Sequence, residues 1–226
     1  MRFLIIGASG RVGELVVQEA LSRGHSVTAL VRNPSSLSTT SQNLTIVTGT
    51  PLSAVDVGKA FTAVPDSLPA AVIVTLNNAR ASDSPFAKPT SPPHLMHDAH
   101  INILSTIKTH SSTTQTKLVT LQAQGVGSSY ASLSCLIKPL IRYSNMGVGY
   151  QDHEAVDQLV RESGVNFVMA RPTRLAEGER KALRFFGDEG EGIGGFDTVS
   201  KMSVAGFLVD AAEGAEWDGR TPVFAN

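Results

Sequence analysis

The sequence predicts an α/β fold, a doubly wound parallel sheet with helices on both faces, and three observations carry that prediction. Phe3-Leu-Ile-Ile6 is an unbroken apolar run, too short for a helix and rich in β-favouring residues, so it reads as a strand buried on both faces. Gly7, Gly10 and Gly13 follow at spacings of three, and helical periodicity then runs from Val12 to Leu21. Short apolar runs continue to alternate with helix-like segments along the rest of the chain, as crossover-linked parallel strands require.

The order strand, glycine turn, helix is the one a dinucleotide site needs. The first glycine permits the tight turn, the second lets a pyrophosphate approach the backbone, and the third lets helix pack close to strand. Unpaired N–H groups and the positive dipole end of the helix then face the phosphates. Gly7, Ser9, Gly10, Arg11, Val12 and Gly13 are therefore the first candidate cofactor residues.

Gly24 stands at a helix C-cap, and Ser26-Val-Thr-Ala-Leu-Val31 is the second strand. An NAD site places an acid just beyond that strand, to bind the ribose hydroxyls; this chain has Arg32-Asn33-Pro34. A guanidinium matches a 2′-phosphate in charge and in bidentate geometry, and Arg11 can reach the same phosphate from the glycine turn. The expected cofactor is NADP(H).

Pro34 to Asn43 is a Ser/Thr-rich loop or poorly formed helix, Leu44–Val47 the third strand, Leu52–Phe61 a short crossover helix and Ala70–Thr75 the central fourth strand. Asn77, at that strand's carboxyl end, lies where open parallel sheets bind ligands. Arg80 to Pro93 is a proline-rich loop expected to act as a flap over the site. The next helix, 94–110, carries His94, His97 and His100 near its start, but no carboxylate or cysteine cluster accompanies them and no metal is expected. Lys117–Leu121 is the fifth strand, with Gln122 at its end; Ser128 to Gly149 is a second long insertion. An amphipathic helix spans Tyr150 to Ser163, Asn166–Ala170 is the sixth strand, and Arg171, Pro172 and Thr173 leave it. A glycine-rich turn (187–195), a helix over Val204–Ala212 and a strand over Thr221–Phe224 close the chain.

Composition narrows the class. At 226 residues, with 42% apolar and 17% charged residues, one globular domain covering 1–226 is expected. A net charge of -1 argues against a nucleic-acid surface, and no apolar run reaches the length of a membrane span. No secretory signal is evident, and the single cysteine, Cys135, forms no internal disulfide, so a cytoplasmic protein is expected. The apolar surroundings of Cys135 read as packing.

Gly7-Ala-Ser-Gly-Arg-Val-Gly13, Val31-Arg-Asn-Pro34, Arg161-Glu-Ser-Gly-Val-Asn-Phe-Val168, Ala170-Arg-Pro172 and Ser200-Lys-Met-Ser-Val-Ala-Gly-Phe207 together resemble the atypical short-chain dehydrogenase/reductases. More narrowly, the chain resembles the NmrA-like group and the flavin (biliverdin-IXβ) reductases, from Arg2 to Phe224. The resemblance implies a Rossmann-type core binding NADP(H), with a small-molecule substrate held against the nicotinamide beneath loops 78–98 and 125–150. It also implies either hydride transfer or, as in NmrA-like regulators, redox sensing without turnover and a protein partner.

The chain departs from that pattern where chemistry is concerned. Ordinary short-chain dehydrogenases use Tyr-x-x-x-Lys, the lysine lowering the tyrosine pKa. Here Tyr130 is followed at that spacing by Ser134, Tyr143 by Gly147 and Tyr150 by Glu154. The serine that flavin reductases carry after the fifth strand falls near Ala123, and Gly49 leads to Thr50-Pro51 in place of an acid. The remaining catalytic candidates are His153, Tyr150 and Tyr143, with Asp152-His153 resembling the Asp-His pair of the flavin reductases. His153 is a candidate proton donor near neutral pH, the alternative being a structural histidine; for the tyrosines the alternative is loop packing. Arg171 and Thr173 are placed to bind the nicotinamide-side phosphate or to line the pocket. The first reading is an NADP(H)-dependent oxidoreductase acting on a small apolar substrate. The alternatives are a non-catalytic NADP(H) sensor, or an isomerase or lyase on the same fold.

Overall fold

The computed structural model describes residues 1–82, 84–110 and 115–226. Asp83, within the expected flap, lies outside the described residues. An eight-stranded sheet runs in the order β3 (Leu44–Thr48), β2 (Ser26–Val31), β1 (Arg2–Ile6), β4 (Ala71–Val74), β5 (Lys117–Leu121), β6 (Phe167–Pro172), β10 (Val223–Ala225) and β8 (Arg184–Phe185). All neighbouring pairs are parallel except the last, where β8 runs antiparallel to β10. Chain direction across the sheet reverses between β1 and β4, which opens a crevice above their carboxyl ends.

The apolar run of β1 is buried on both sides because each face meets a separate core. Phe3 and Ile5 point into one core with α1 (Gly13–Ser22) and α6 (Lys201–Glu213). Leu4 and Ile6 point into the other with α2 (Ala54–Phe61), α3 (Leu95–His110) and α5 (Met146–Glu162). The alternation is the period-two geometry of a strand acting on an unbroken apolar sequence.

Four elements differ from expectation. The helix expected over Val204–Ala212 begins at Lys201, because Ser200 caps it by accepting a hydrogen bond from Ser203 N at 3.1 Å. The helix expected from Tyr150 starts at Met146, since Gly147 and Gly149 lower local propensity but not the packing of Val156 and Val160. The insertion before it is not a loop: it holds a 3₁₀ segment (Gly127–Ser132) and α4 (Ile137–Tyr143). Finally, β7 (Arg174–Ala176) and β9 (Thr198–Ser200) form a separate parallel ribbon, too short to show periodicity. Cys135 is exposed, so the packing role expected of it does not hold.

No helix among the described residues is long and apolar enough to cross a membrane.

Candidate functional site

The glycine turn between β1 and α1 is shaped by the end of β4. Gly7 has φ +90°, and a Cβ there would lie 2.8 Å from Thr75 Oγ1 and 2.9 Å from its carbonyl carbon. A Cβ on Gly13 would lie 2.0 Å from Gly7 O. The turn is drawn in by Gly10 N donating to Gly7 O at 2.9 Å and Thr75 Oγ1 donating to the same oxygen at 3.1 Å. Gly10 is different: its Cβ would meet only Gly7 O, at 3.1 Å, and the residue is exposed. Ser9 and Arg11 are exposed at the turn's tip, while Val12 is buried in the core and offers the site only its backbone. At the start of α1, Glu14 N donates to Gly10 O at 2.9 Å and Val16 N to Val12 O at 3.0 Å, so the helix begins directly from the glycine turn and brings its positive dipole end there.

Arg32 is exposed one residue past β2, and no carboxylate among the described residues pairs with it. The chain turns away immediately behind it, where Asn33 Oδ1 accepts from Ser35 N at 3.1 Å.

Beside the turn lies a cavity of about 330 Å³ at the carboxyl ends of β4, β5 and β6. Arg11 reaches it from the glycine turn; Asn77 and Asn78 follow β4, Gln122 follows β5, and Pro172 and Thr173 end β6. The first turns of α5 supply the opposite wall with Met146, Gly149, Tyr150 and His153. Tyr150 Oη donates to Gln124 O at 3.1 Å, and burial pushes its phenol up to about 12. His153 is buried; its Nδ1–H donates to Gln122 Oε1 at 2.7 Å, and desolvation pushes its pKa down to about 4 despite Asp152 beside it. It is therefore neutral at pH 7. Of the two readings of His153, a proton donor near neutral pH or a structural histidine, this geometry supports the second: a neutral ring whose N–H is already engaged.

Two further candidates are displaced from the cavity. Tyr143 is 73% exposed at the end of α4, with the Arg142 guanidinium over its ring at 5.5 Å, and does not line the cavity. Arg171 is wholly buried: Nη2 donates to Asp157 Oδ1 at 2.6 Å, and Nη1 to Ser128 Oγ at 2.9 Å and Asp188 O at 3.2 Å. Its guanidinium ties β6 to α5 and to the loop before β10, and it does not line the cavity. Pro172 and Thr173, where the chain leaves β6, line the cavity, while the Arg171 side chain is turned to Asp157.

Asp152, beside His153 on α5, serves a helix other than its own. Its carboxylate accepts from Met96 N (2.8 Å) and His97 N (2.9 Å), so it serves the N-terminus of α3, and from Asn78 Nδ2 (2.8 Å), which it fixes in the cavity wall. Its pairing with the start of α3 is a long-range contact that no local pattern signals. Asp152→Asn should lower unfolding free energy by about 2 kcal/mol, because one of these buried donors then faces an amide N–H. Urea denaturation reads the loss; an unchanged midpoint would mean that water replaces the carboxylate. His94, just before α3, and His97 and His100 within it do not converge: His94 is exposed, while His100 is buried, donating from Nδ1 to Met96 O at 2.7 Å and accepting at Nε2 from Thr120 Oγ1 at 3.0 Å.

A family model described as NAD(P)H-binding matches residues 7–214, which includes the turn and every strand bordering the cavity. The chain belongs to this NAD(P)H-binding family. Solved structures share its fold. ChuY, an anaerobillin reductase from Escherichia coli O157:H7, is 18% identical over 100% of this chain and 97% of its own, with a TM-score of 0.76. A wide-type short-chain dehydrogenase/reductase from Veillonella parvula, solved in complex with NADP, is 15% identical over 100% and 94%, with a TM-score of 0.72. A Rossmann-fold NAD(P)-binding family protein from Shigella flexneri is 17% identical over 100% and 93%, with a TM-score of 0.67. As in the family, the turn here fits a dinucleotide: Gly7 and Gly13 leave no room for side chains, and exposed Gly10 leaves the backbone open to a phosphate.

Proposed function

We propose that the chain is an NADP(H)-dependent oxidoreductase, passing hydride to or from a small organic molecule in the cavity beside the glycine turn. The observation that carries this reading is the shared border: Arg11 belongs to the glycine turn and also lines the cavity, so a dinucleotide on the turn ends where a substrate would sit. Bound there, the nicotinamide supplies the hydride. Gly7, Ser9, Gly10, Arg11, Val12 and Gly13 would hold the pyrophosphate, Arg32 the 2′-phosphate, and Asn77, Gln122 and Thr173 the nicotinamide end. The walls exclude water and align the reactants. Tyr150 brings a protonated hydroxyl to the cavity, its pKa raised and not lowered, so it is a weak acid there. Neutral His153 orients Gln122 through Nδ1.

Calorimetric titration with NADPH, NADP⁺ and NADH tests the reading. Arg32→Ala should weaken NADPH by about tenfold or more, the value of a lost charge-assisted contact, and leave NADH nearly unchanged. Equal losses for both would show that Arg32 does not read the 2′-phosphate.

A second reading, an NADP(H) sensor without turnover, is favoured by the same two groups, since a neutral imidazole and a raised phenol leave the cavity without a strong proton donor. It predicts unequal affinities for NADP⁺ and NADPH and a partner whose binding follows the redox state. NADPH oxidation with a panel of quinones, flavins and enones would exclude it.

A further inference from the structure

We propose that the molecule bound beside the dinucleotide is an apolar anion, and that Arg80 pairs with its carboxylate. The inference deepens the function proposed above and rests on it for the identity of the neighbouring ligand.

Charge in the cavity is one-sided. Arg11 and Arg80 line it, and no aspartate or glutamate among the described residues does. Arg11 belongs to the glycine turn, at the dinucleotide end. Arg80 belongs to a different segment, the chain leaving β4. No carboxylate among the described residues pairs with it, and its Nε is buried without a hydrogen-bond partner. Two acids of α5 are engaged elsewhere: Asp152 accepts from Met96 N, His97 N and Asn78 Nδ2, and Glu154 accepts from Gly127 N at 2.9 Å. A guanidinium left partly desolvated and unpaired is the group that a planar carboxylate completes.

The arginine is also held in position. Arg80 and Pro89 form an antiparallel bridge, closed by Ala81 N to Lys88 O (3.0 Å) and Thr90 N to Ala79 O (2.9 Å). The tip of this ribbon is tied to the start of α5, where Asn145 Nδ2 donates to Phe86 O (2.9 Å) and Ala87 O (3.2 Å). Leu76, Leu121, Met146, Val148 and Leu175 give the remaining wall an apolar part beside its polar groups. A cation in a cleft that also offers apolar side chains selects a ligand with a hydrophobic body and one anionic end.

A phosphate of the dinucleotide is the other source of an anion, so the test separates the two. Equilibrium dialysis would compare 2-naphthoate with 2-naphthamide, equal in shape and different in charge, on wild type and Arg80→Gln, with NADPH affinity measured for each. Wild type should prefer the naphthoate by about tenfold or more, and Arg80→Gln should abolish that preference while leaving naphthamide and NADPH affinities within about twofold. Equal binding of the two probes by wild type, or no binding of naphthoate, overturns the proposal. So does an Arg80→Gln variant that loses NADPH and keeps the naphthoate preference, since Arg80 then serves the dinucleotide. Preference for naphthoate in a protein that binds no NADPH would sink the proposed function and leave the anion site standing.

Discussion

Gly13→Ala is expected to lose both stability and nucleotide binding, whereas Gly10→Ala should lose binding alone. The new Cβ at position 13 would sit 2.0 Å from Gly7 O, a backbone atom that cannot rotate away. Relief requires α1 to move off β1, and overpacking of this kind costs about 1–3 kcal/mol, or roughly 2–12 °C in melting temperature for a chain of this size. NADPH affinity should fall at least about a hundredfold, because the helix N-terminus no longer meets the phosphates. At position 10 the nearest atom is Gly7 O at 3.1 Å, so a small adjustment accommodates the methyl group. The methyl then occupies the space a pyrophosphate needs, and the melting temperature should stay within about 3 °C while NADPH weakens by tenfold or more. Thermal melts and calorimetry on the two variants separate these effects. If Gly10→Ala bound NADPH like wild type, the phosphates would not rest on this turn.

Acid should unfold the protein in two stages, the first set by two buried histidines. Burial pushes both His100 and His153 from 6.5 to about 4, and Asp152 opposes the shift in each. Between those values the unfolded chain binds protons that the folded chain refuses. Stability therefore rises with pH across this window: it is complete above about pH 6.5 and is lost as pH falls toward 4. The loss should be on the order of 6 kcal/mol for the pair by pH 4. Carboxylates contribute lower down. Desolvation would raise Glu19 and Glu213, yet arginine partners on both, together with His25 on Glu213, hold them below the usual 4.5, so their contribution disappears only at more acid pH. Urea midpoints at pH 7.5, 6, 5 and 4.2 should fall steadily for wild type. The double variant His100→Gln/His153→Gln should show a flatter slope whatever its own stability, because the slope counts titrating groups and not packing. An unchanged slope would assign the acid lability to carboxylates instead.

The cofactor half of the site was legible because it is local. Strand, turn and helix form one continuous segment, and Gly7 and Gly13 are required by contacts within that segment and with the strand beside it. Arg32 was legible for the same reason, since its place follows from where β2 ends. The other half is assembled from four separate chain segments, and there residue type alone misled. Arg171 has the charge of a phosphate ligand, but its β6 register turns it inward to Asp157. His153 has the residue type of a proton donor, but desolvation decides its charge. Tyr143 and Tyr150 looked equivalent as loop aromatics, until α4 left one in solvent and α5 carried the other to the cavity.

By itself, the sequence determined the parallel α/β class, the strand order's starting unit and a nucleotide site at the first turn, because period and glycine spacing are properties of neighbours along the chain. Only the tertiary structure decided which side chains face the cavity, which charges are neutralised before a ligand arrives, and which groups stay uncharged. Those outcomes depend on burial and on partners brought together across the fold: Asp152 with the start of α3, Arg171 with Asp157, and Arg80 with no carboxylate at all among the described residues.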